Sequence, residues 1–153
     1  MKKNIVLCGF KGAGKTTFGK SFSLAVKRPF FDTDNLCELF HLEDTGEDLA
    51  YAGIYSRYGE AYFRQLEEKA VSYVSALSGV IIACGGSTVL NQQNVEMLKQ
   101  SGIIVFLDVA LECIKKRLQK LPSFLSDGKL EEIWDKRLDV YARIADFRLD
   151  MST

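Results

Sequence analysis

A glycine-rich segment near the start of the chain holds the residues best suited to chemistry. Residues 9–16 read Gly-Phe-Lys-Gly-Ala-Gly-Lys-Thr, a full match to the pattern G-x-x-x-x-G-K-[ST]. In such a loop the backbone N–H groups surround phosphate oxygens, the lysine reaches the β- and γ-phosphates, and the hydroxyl residue ligates Mg²⁺. The segment therefore predicts a nucleoside triphosphate site with Mg²⁺ at Thr16. Its residues are Gly12, Ala13, Gly14, Lys15, Thr16 and Thr17.

The sequence on each side of the loop supports this interpretation. An apolar run, Ile5 to Cys8, precedes the loop, and a stretch with helical periodicity, Thr17 to Lys27, follows it. The motif holds phosphate when it joins a strand to a helix, because the helix N-terminus contributes positive charge. A glycine-rich turn that matches the pattern by chance is the alternative.

Two carboxylates follow the next strand-like run, in Asp32-Thr33-Asp34. One of them can help to hold Mg²⁺ through water, while the other orients a substrate hydroxyl or accepts its proton. Aspartates after a strand are also common turn formers and helix caps, and Asp34 before Asn35 can be an N-cap. The residues leave both interpretations open.

Further candidates for ligand binding lie on a helix-like stretch and in a turn. Arg64 and Glu67 are three residues apart and share a helix face, so the glutamate can hold the guanidinium as a carboxylate receptor. A solvated surface pair is the alternative. Gly85-Gly86 follows an apolar run and allows a ligand to approach the backbone, although an ordinary turn fits equally well. Arg137 faces either a ligand or water.

Strand-like apolar runs alternate with segments of helical periodicity along the chain. We predict strands at residues 4–8, 30–32, 80–83, 103–107 and 147–150, and helices at residues 15–26, 35–40, 60–78, 92–100, 111–119 and 130–145. This alternation is typical of an α/β fold whose parallel sheet is covered on both faces, with ligands at the carboxyl ends of the strands. We expect one domain over residues 1–153.

The composition limits the class of protein. The 153 residues include 20 basic and 20 acidic side chains. The chain therefore lacks the excess of basic residues that would favour binding to nucleic acid or to an anionic membrane. The longest apolar runs have the length of strands and cannot span a bilayer. The four cysteines lie far apart without a C-x-x-C pair, which argues against a zinc site. We expect a cytoplasmic protein with a small-molecule partner.

Together these segments resemble the shikimate kinase family. The phosphate loop, Asp-Thr-Asp at 32–34, Gly-Glu-x-x-Phe-Arg-x-x-Glu at 59–67 and the Gly-Gly turn occur in the family's order and approximate spacing. The similarity covers nearly the whole chain, and its most specific part is Asp-Thr-Asp combined with Phe-Arg-x-x-Glu. It implies a P-loop nucleoside-monophosphate-kinase-like three-layer α/β/α fold, with a five-stranded parallel sheet in the order 2-3-1-4-5 and a lid.

The resemblance also implies an activity, the ATP-dependent phosphorylation of the 3-hydroxyl of shikimate in aromatic amino-acid biosynthesis, by a monomer that uses Mg²⁺. On the nucleotide side it places Asp32 near Mg²⁺ and Arg117 against adenine. On the acceptor side it makes Asp34 the base that contacts the reacting hydroxyl. The remaining acceptor residues are Arg64 and Arg137, which would clamp the carboxylate, and Gly86, which would offer a backbone donor.

The chain departs from the family pattern in its lid, which we place at residues 120–129, beyond a substrate-binding region at about 33–64. The usual Arg-Pro of the lid reads Leu121-Pro122, so Lys120 is predicted as the catalytic cation that meets the transferring phosphoryl group. A plain connecting loop is the alternative. The chain ends at Thr153, about where family members continue into an adenine-contacting loop and a last helix.

Other functions remain open at this stage. A kinase of another small acid, such as a gluconate-type sugar acid, fits the same motifs, and the altered lid also fits a nucleotide-binding module whose catalysis has decayed. Asp108 after an apolar run resembles the metal-holding residue of a motor-type ATPase, but it can simply end its strand. The sequence N-K-x-D of guanine-specific switch proteins is absent, which argues against a GTPase.

Overall fold

The computed structural model describes residues 2–118 and 129–151. Its five strands form one parallel sheet in the order β2-β3-β1-β4-β5. The strands are β1 (Asn4–Cys8), β2 (Phe30–Asp32), β3 (Ile81–Ala83), β4 (Gly102–Asp108) and β5 (Phe147–Asp150). This confirms the predicted α/β class and strand order.

Seven α-helices lie in the described ranges. They are α1 (Lys15–Val26), α2 (Thr33–Thr45), α3 (Tyr51–Tyr58), α4 (Glu60–Ser75), α5 (Gln92–Ser101), α6 (Leu111–Arg117) and α7 (Lys129–Ile144), with a 3₁₀ turn at Thr88–Leu90. Across these ranges we find no helix with the length and apolar character needed to cross a membrane.

The central strands β1, β3 and β4 are largely buried, and their successive residues point to opposite faces of the sheet. One face packs into the larger core through Val6, Ile82 and Ile104. The other face packs against α1 through Leu7, Ile81 and Leu107. The central position of β1, paired with both β3 and β4, explains why nearly every residue of this strand is apolar. The segment that follows β1 therefore starts from the centre of the sheet.

The start of α2 differs from the sequence-based expectation. The helix runs from Thr33 to Thr45, so it begins two residues before the predicted Asn35. Asp32 is its N-cap, since its Oδ1 accepts hydrogen bonds from the backbone N–H of Asp34 at 2.9 Å and of Asn35 at 3.4 Å. The interpretation of Asp34 as the N-cap is therefore wrong, and the Asp34 carboxylate is free of that role.

Helix α3 is absent from the sequence-based prediction. Its residues, Tyr51–Tyr58, include a glycine and three tyrosines, which have low intrinsic helix propensity. Tertiary contacts stabilise it instead: Ile54 is fully buried, and Arg57 and Tyr58 donate hydrogen bonds to Glu47 at 2.6 and 2.9 Å. The helix therefore depends on its neighbours, and local sequence rules could not find it.

The predicted lid falls almost entirely outside the described residues. Only Lys129 belongs to them, and it begins α7. Lys120 and Leu121 lie outside the described ranges, so their predicted roles stay predictions.

Candidate active site

The phosphate loop connects the end of β1 to the start of α1. Gly12 and Gly14 have φ angles of 88° and 89°, in the region that favours glycine. A Cβ at Gly9 would lie 2.9 Å from the carbonyl oxygen of Leu107, so the absence of a side chain lets the loop pack against β4. The backbone therefore adopts the closely curved form that a phosphate-binding loop requires.

Lys15 is the first residue of α1, and its side chain folds back over the loop. The Nζ atom donates hydrogen bonds to the carbonyl oxygens of Gly9 at 2.6 Å and Phe10 at 3.1 Å. Burial lowers the pKa of Lys15, while the negative charge of Asp34 opposes that shift. The ammonium group is thus at the loop and within electrostatic reach of the second aspartate.

Thr16 and Asp32 present oxygen atoms beside the loop. Thr16 Oγ1 donates a hydrogen bond to Asp32 Oδ2 at 2.9 Å, while the other oxygen of Asp32 caps α2. A hydroxyl and a carboxylate are hard oxygen donors of the kind that Mg²⁺ prefers, and the ion commonly uses one or two such ligands together with waters and phosphates. The residues present therefore fit a Mg²⁺ ion.

The remaining candidates for nucleotide contact surround the same loop. Ala13 is buried and its N–H closes a turn to the carbonyl of Phe10 at 3.0 Å, whereas Thr17 is exposed in the first turn of α1. Arg117, at the end of α6, donates a hydrogen bond to the carbonyl of Gly12 at 2.8 Å. The fold thus brings Arg117 to the phosphate loop from a distant part of the chain.

Asp34 lies in the first turn of α2 and faces the turn after β3. A Cβ at Gly85 would lie 2.5 Å from Asp34 Oδ1, so only glycine leaves room for the carboxylate there. Burial raises the pKa of Asp34 to about 6, with a further contribution from the nearby Asp32 charge, while Lys15 acts in the opposite direction. A carboxylate with this pKa is ionised at neutral pH and basic enough to accept a proton.

Buried hydroxyl groups hold Gly85 in place. Thr33 Oγ1 accepts a hydrogen bond from the Gly85 N–H at 2.9 Å and lies 3.4 Å from Thr88 Oγ1. Both threonines are fully buried. Neither threonine stands out in the sequence, because a buried threonine looks like any other until its partner is known. They fix the glycine turn to the start of α2.

Arg64 is held by a buried carboxylate on its own helix, α4. Its NH1 atom donates to Glu67 Oε1 at 3.0 Å and to Ser87 Oγ at 2.6 Å, and its Nε lies 3.7 Å from Glu60 Oε1. The Glu67 side chain is only 2% exposed, and its second oxygen accepts from Thr88 Oγ1 at 3.0 Å. The guanidinium is therefore preorganised rather than free in solvent.

Arg137 approaches the same glycine turn from α7. Its NH1 atom would lie 3.2 Å from a Cβ at Gly86, and its Cζ lies 5.6 Å from the centre of the Phe10 ring. One helical turn further on, the buried Tyr141 hydroxyl donates a hydrogen bond to the Gly86 carbonyl. Tyr141, which was not predicted from the sequence, fixes the turn to the helix that carries Arg137.

Asp108 has a different role from these residues. Its Oδ2 accepts hydrogen bonds from Arg148 Nε at 2.8 Å and NH2 at 2.7 Å, across the β4–β5 pair. This strand-end carboxylate is therefore occupied in an ion pair. Within ranges 2–118 and 129–151, no group of three or more His, Cys, Asp or Glu side chains is arranged to hold a metal ion.

Two kinds of group thus meet at the carboxyl ends of the strands. A phosphate loop with Lys15, Thr16 and Asp32 lies on one side, and a buried carboxylate with two guanidinium groups lies on the other. Phosphoryl transfer requires a phosphate cradle, a cation and a base or orienting group beside the acceptor. The fold and the site define a P-loop kinase that acts on a small acceptor carrying a hydroxyl and an acidic group.

Comparison with known proteins identifies the family. The sequence model described as "Shikimate kinase" matches residues 11–153. The chain is 36% identical to shikimate kinase of Caldanaerobacter subterraneus subsp. tengcongensis, over 98% of this chain and 87% of the relative. The chain belongs to the shikimate kinase family, which confirms the family predicted from its motifs.

Solved structures agree with this assignment. A shikimate kinase from Acinetobacter baumannii, solved in complex with shikimate, superimposes with a TM-score of 0.83 at 27% identity, covering 100% of this chain and 86% of the other. The crystal structure of shikimate kinase from Aquifex aeolicus gives a TM-score of 0.78 at 28% identity, covering 96% and 85%.

Proposed function

We propose that this protein transfers the γ-phosphoryl group of ATP to the 3-hydroxyl of shikimate. The observation that carries the proposal is the meeting of two guanidinium groups at the turn after β3. Arg64 donates to Ser87 at 2.6 Å, and Arg137 lies against Gly86. Asp34 faces the adjacent Gly85. The arrangement suits an acceptor with a carboxylate at one end and a reactive hydroxyl at the other.

On the donor side, the N–H groups of the loop from Gly12 to Thr17 would receive the phosphates of ATP. Lys15 would exchange its two carbonyl partners for the β- and γ-phosphate oxygens, where negative charge accumulates during transfer. Thr16 and Asp32 would hold Mg²⁺, which when bound offsets the charge of the phosphates. Arg117, already at the loop, would lie against the adenine.

On the acceptor side, Arg64 and Arg137 would bind the two oxygens of the shikimate carboxylate. Guanidinium groups match such oxygens in pairs, and a preorganised guanidinium loses little entropy when it binds. The Gly86 N–H would donate to the acceptor as well. These contacts would orient the 3-hydroxyl toward Asp34 and the γ-phosphate, which is the positioning that phosphoryl transfer needs.

The transfer step conserves atoms and charge. The 3-oxygen of shikimate forms a bond to the γ-phosphorus, the bond from that phosphorus to the β,γ-bridging oxygen breaks, and ADP leaves. Asp34 accepts the proton from the hydroxyl, as expected for a carboxylate that is ionised at neutral pH. The product is shikimate 3-phosphate.

Several expectations about the protein as a whole belong to this proposal. Residues 33–64, which include α2 and α3, would form the substrate-binding region of a single kinase domain. Residues 120–129 would form the lid, with Lys120 as its cation. A cytoplasmic location, a monomeric state, and the absence of nucleic-acid or membrane partners stay predictions.

The test is a coupled assay of ADP release, run with shikimate, with gluconate and without an acceptor, and with ³¹P NMR of the product. We expect saturable turnover with shikimate alone and a phosphate ester at its 3-position. Saturation by gluconate and not by shikimate would indicate a sugar-acid kinase. Tight ATP binding without turnover of either acid would indicate a nucleotide-binding module.

A further inference from the structure

Lys11 lies in the phosphate loop but turns away from it. Its Nζ donates a hydrogen bond to the hydroxyl of Tyr51 at 3.0 Å and lies 5.6 Å from the centre of that ring. Tyr51 is the first residue of α3, and its ring lies 6.5 Å from that of Phe63, the neighbour of Arg64. The side chain therefore bridges the donor loop and the wall of the acceptor site.

The partners of Lys11 leave its charge uncompensated. In the part of the chain that the structure describes, this half-buried lysine forms no salt bridge with a carboxylate, whereas Arg64 contacts both Glu60 and Glu67. A neutral hydroxyl and an aromatic face hold a cation weakly compared with an anion. An anion that arrives within reach of Lys11 can therefore replace the Tyr51 hydroxyl at low cost.

The position of Lys11 indicates which anion can replace the Tyr51 hydroxyl. Its backbone nitrogen would lie 3.8 Å from a Cβ at Gly86, so this part of the loop lies against the acceptor turn. Lys15, by contrast, lies over the carbonyls of Gly9 and Phe10. The two lysines of the same loop therefore contact different parts of the site, Lys15 the loop carbonyls and Lys11 the first residue of α3. A phosphoryl group bound to the acceptor would lie on the side of the loop that faces the acceptor turn.

We propose that Lys11 is a catalytic residue that leaves the Tyr51 hydroxyl and binds the phosphoryl group as it reaches the acceptor. This inference rests on the proposed function. The carboxylate of the acceptor is already matched by Arg64 and Arg137, whereas the transferred phosphoryl group brings new negative charge to the acceptor side. A cation placed where charge develops lowers the barrier more than it strengthens acceptor binding.

The test compares Lys11→Met, which keeps the length without the charge, with Lys11→Arg, which keeps the charge. Lys20→Met is the matched control, because Lys20 is an exposed lysine on α1. We expect Lys11→Met to lower kcat by roughly 10- to 100-fold with less than about threefold change in the KM of shikimate. Lys11→Arg should recover most of the activity, and the control should match wild type.

A binding measurement separates this role from a structural one. Calorimetry of shikimate and of shikimate 3-phosphate should show that Lys11→Met weakens binding of the phosphorylated acid roughly tenfold or more while shikimate binds as before. Equal weakening of both acids, or an unchanged kcat, would overturn the inference and leave the proposed function intact. A wild-type protein that cannot phosphorylate shikimate would overturn both.

Discussion

The phosphate loop of the donor side is one continuous segment, residues 9–16, whereas the acceptor side combines groups from α2, α4, the turn after β3 and α7. On the donor side the backbone itself is the binding surface, and two left-handed glycines set its curvature. On the acceptor side, other side chains hold the functional groups in place: Glu67 holds the Arg64 guanidinium, Thr33 holds the Gly85 backbone, and Tyr141 holds the Gly86 backbone.

This difference predicts how the two sides respond to substitution. A change in the donor loop acts directly on the phosphates, because the loop depends on few other side chains. A change on the acceptor side acts also through residues that never touch the substrate. Five substitutions and one change of pH, in decreasing order of expected effect, test this difference between the two sides.

The largest effect is expected for Lys15→Ala. It removes the cation nearest the phosphates, and cations at this position of phosphoryl transfer are worth roughly 10³-fold or more in kcat. Within residues 2–118 and 129–151, the hydrogen bonds of Lys15 go to the loop carbonyls of Gly9 and Phe10, so the melting temperature should change little. Steady-state kinetics and thermal melts measure both effects. Turnover at the wild-type rate would remove the phosphate-loop assignment.

Asp34→Asn should lower kcat by roughly 10²- to 10⁴-fold, the usual contribution of a positioned base. The amide keeps the size of the carboxylate beside Gly85 and removes its charge. ATP affinity, measured by calorimetry, should stay near wild type. If only the KM for ATP changed, Asp34 would belong to the donor side, and its assignment to the acceptor side would be wrong.

Arg64→Ala and Arg137→Ala should each raise the KM of shikimate by about 30-fold or more, because each removes a charge-assisted contact worth about 2 kcal/mol or more in a desolvated site. ATP affinity should hardly move. An analogue in which an amide replaces the shikimate carboxylate is the control. Equal discrimination against it by wild type and both variants would mean that the arginines do not bind that group.

Glu67→Gln tests whether a residue that does not touch the acceptor still determines its binding. The buried Glu67 carboxylate accepts a hydrogen bond from Arg64 at 3.0 Å. Loss of this carboxylate should raise the KM of shikimate by roughly tenfold, which corresponds to about 1.4 kcal/mol of binding free energy. The effect should be smaller than that of Arg64→Ala, because Ser87 still contacts the guanidinium. A KM equal to wild type would show that Arg64 needs no such support.

The smallest effect concerns pH. Asp34 must be ionised to accept a proton, and burial raises its pKa to about 6. Activity should therefore be present above pH 6 and fall as the pH is lowered through that value, with kcat/KM roughly halved between pH 7 and pH 6. The profile of wild type should show this acidic limb. In Asp34→Asn the residual activity should lack it.

The features that could be predicted from the sequence are local, like the donor loop, and those that could not depend on long-range contacts, like the acceptor side. The strands, the phosphate loop and the Arg64–Glu67 pair are visible in the sequence, because each depends on residues close together or on hydrophobic periodicity, whereas the strand order was implied by the resemblance to the family. Helix α3 was missed because its stability comes from tertiary contacts. The sequence left open whether Asp34 caps α2, since either aspartate satisfies the local pattern, and the backbone of the structure makes Asp32 the cap.

The sequence by itself determined the fold class, the nucleotide loop and the family. A phosphate loop is recognisable because its donors are consecutive backbone N–H groups, whose geometry follows from the spacing of the glycines. Only the tertiary structure decided which side chains surround the acceptor. Gly86 meets Tyr141, 55 positions away, and Lys11 meets Tyr51, 40 positions away. Such contacts depend on how crossover connections bring the strand ends together, and no local pattern records that geometry.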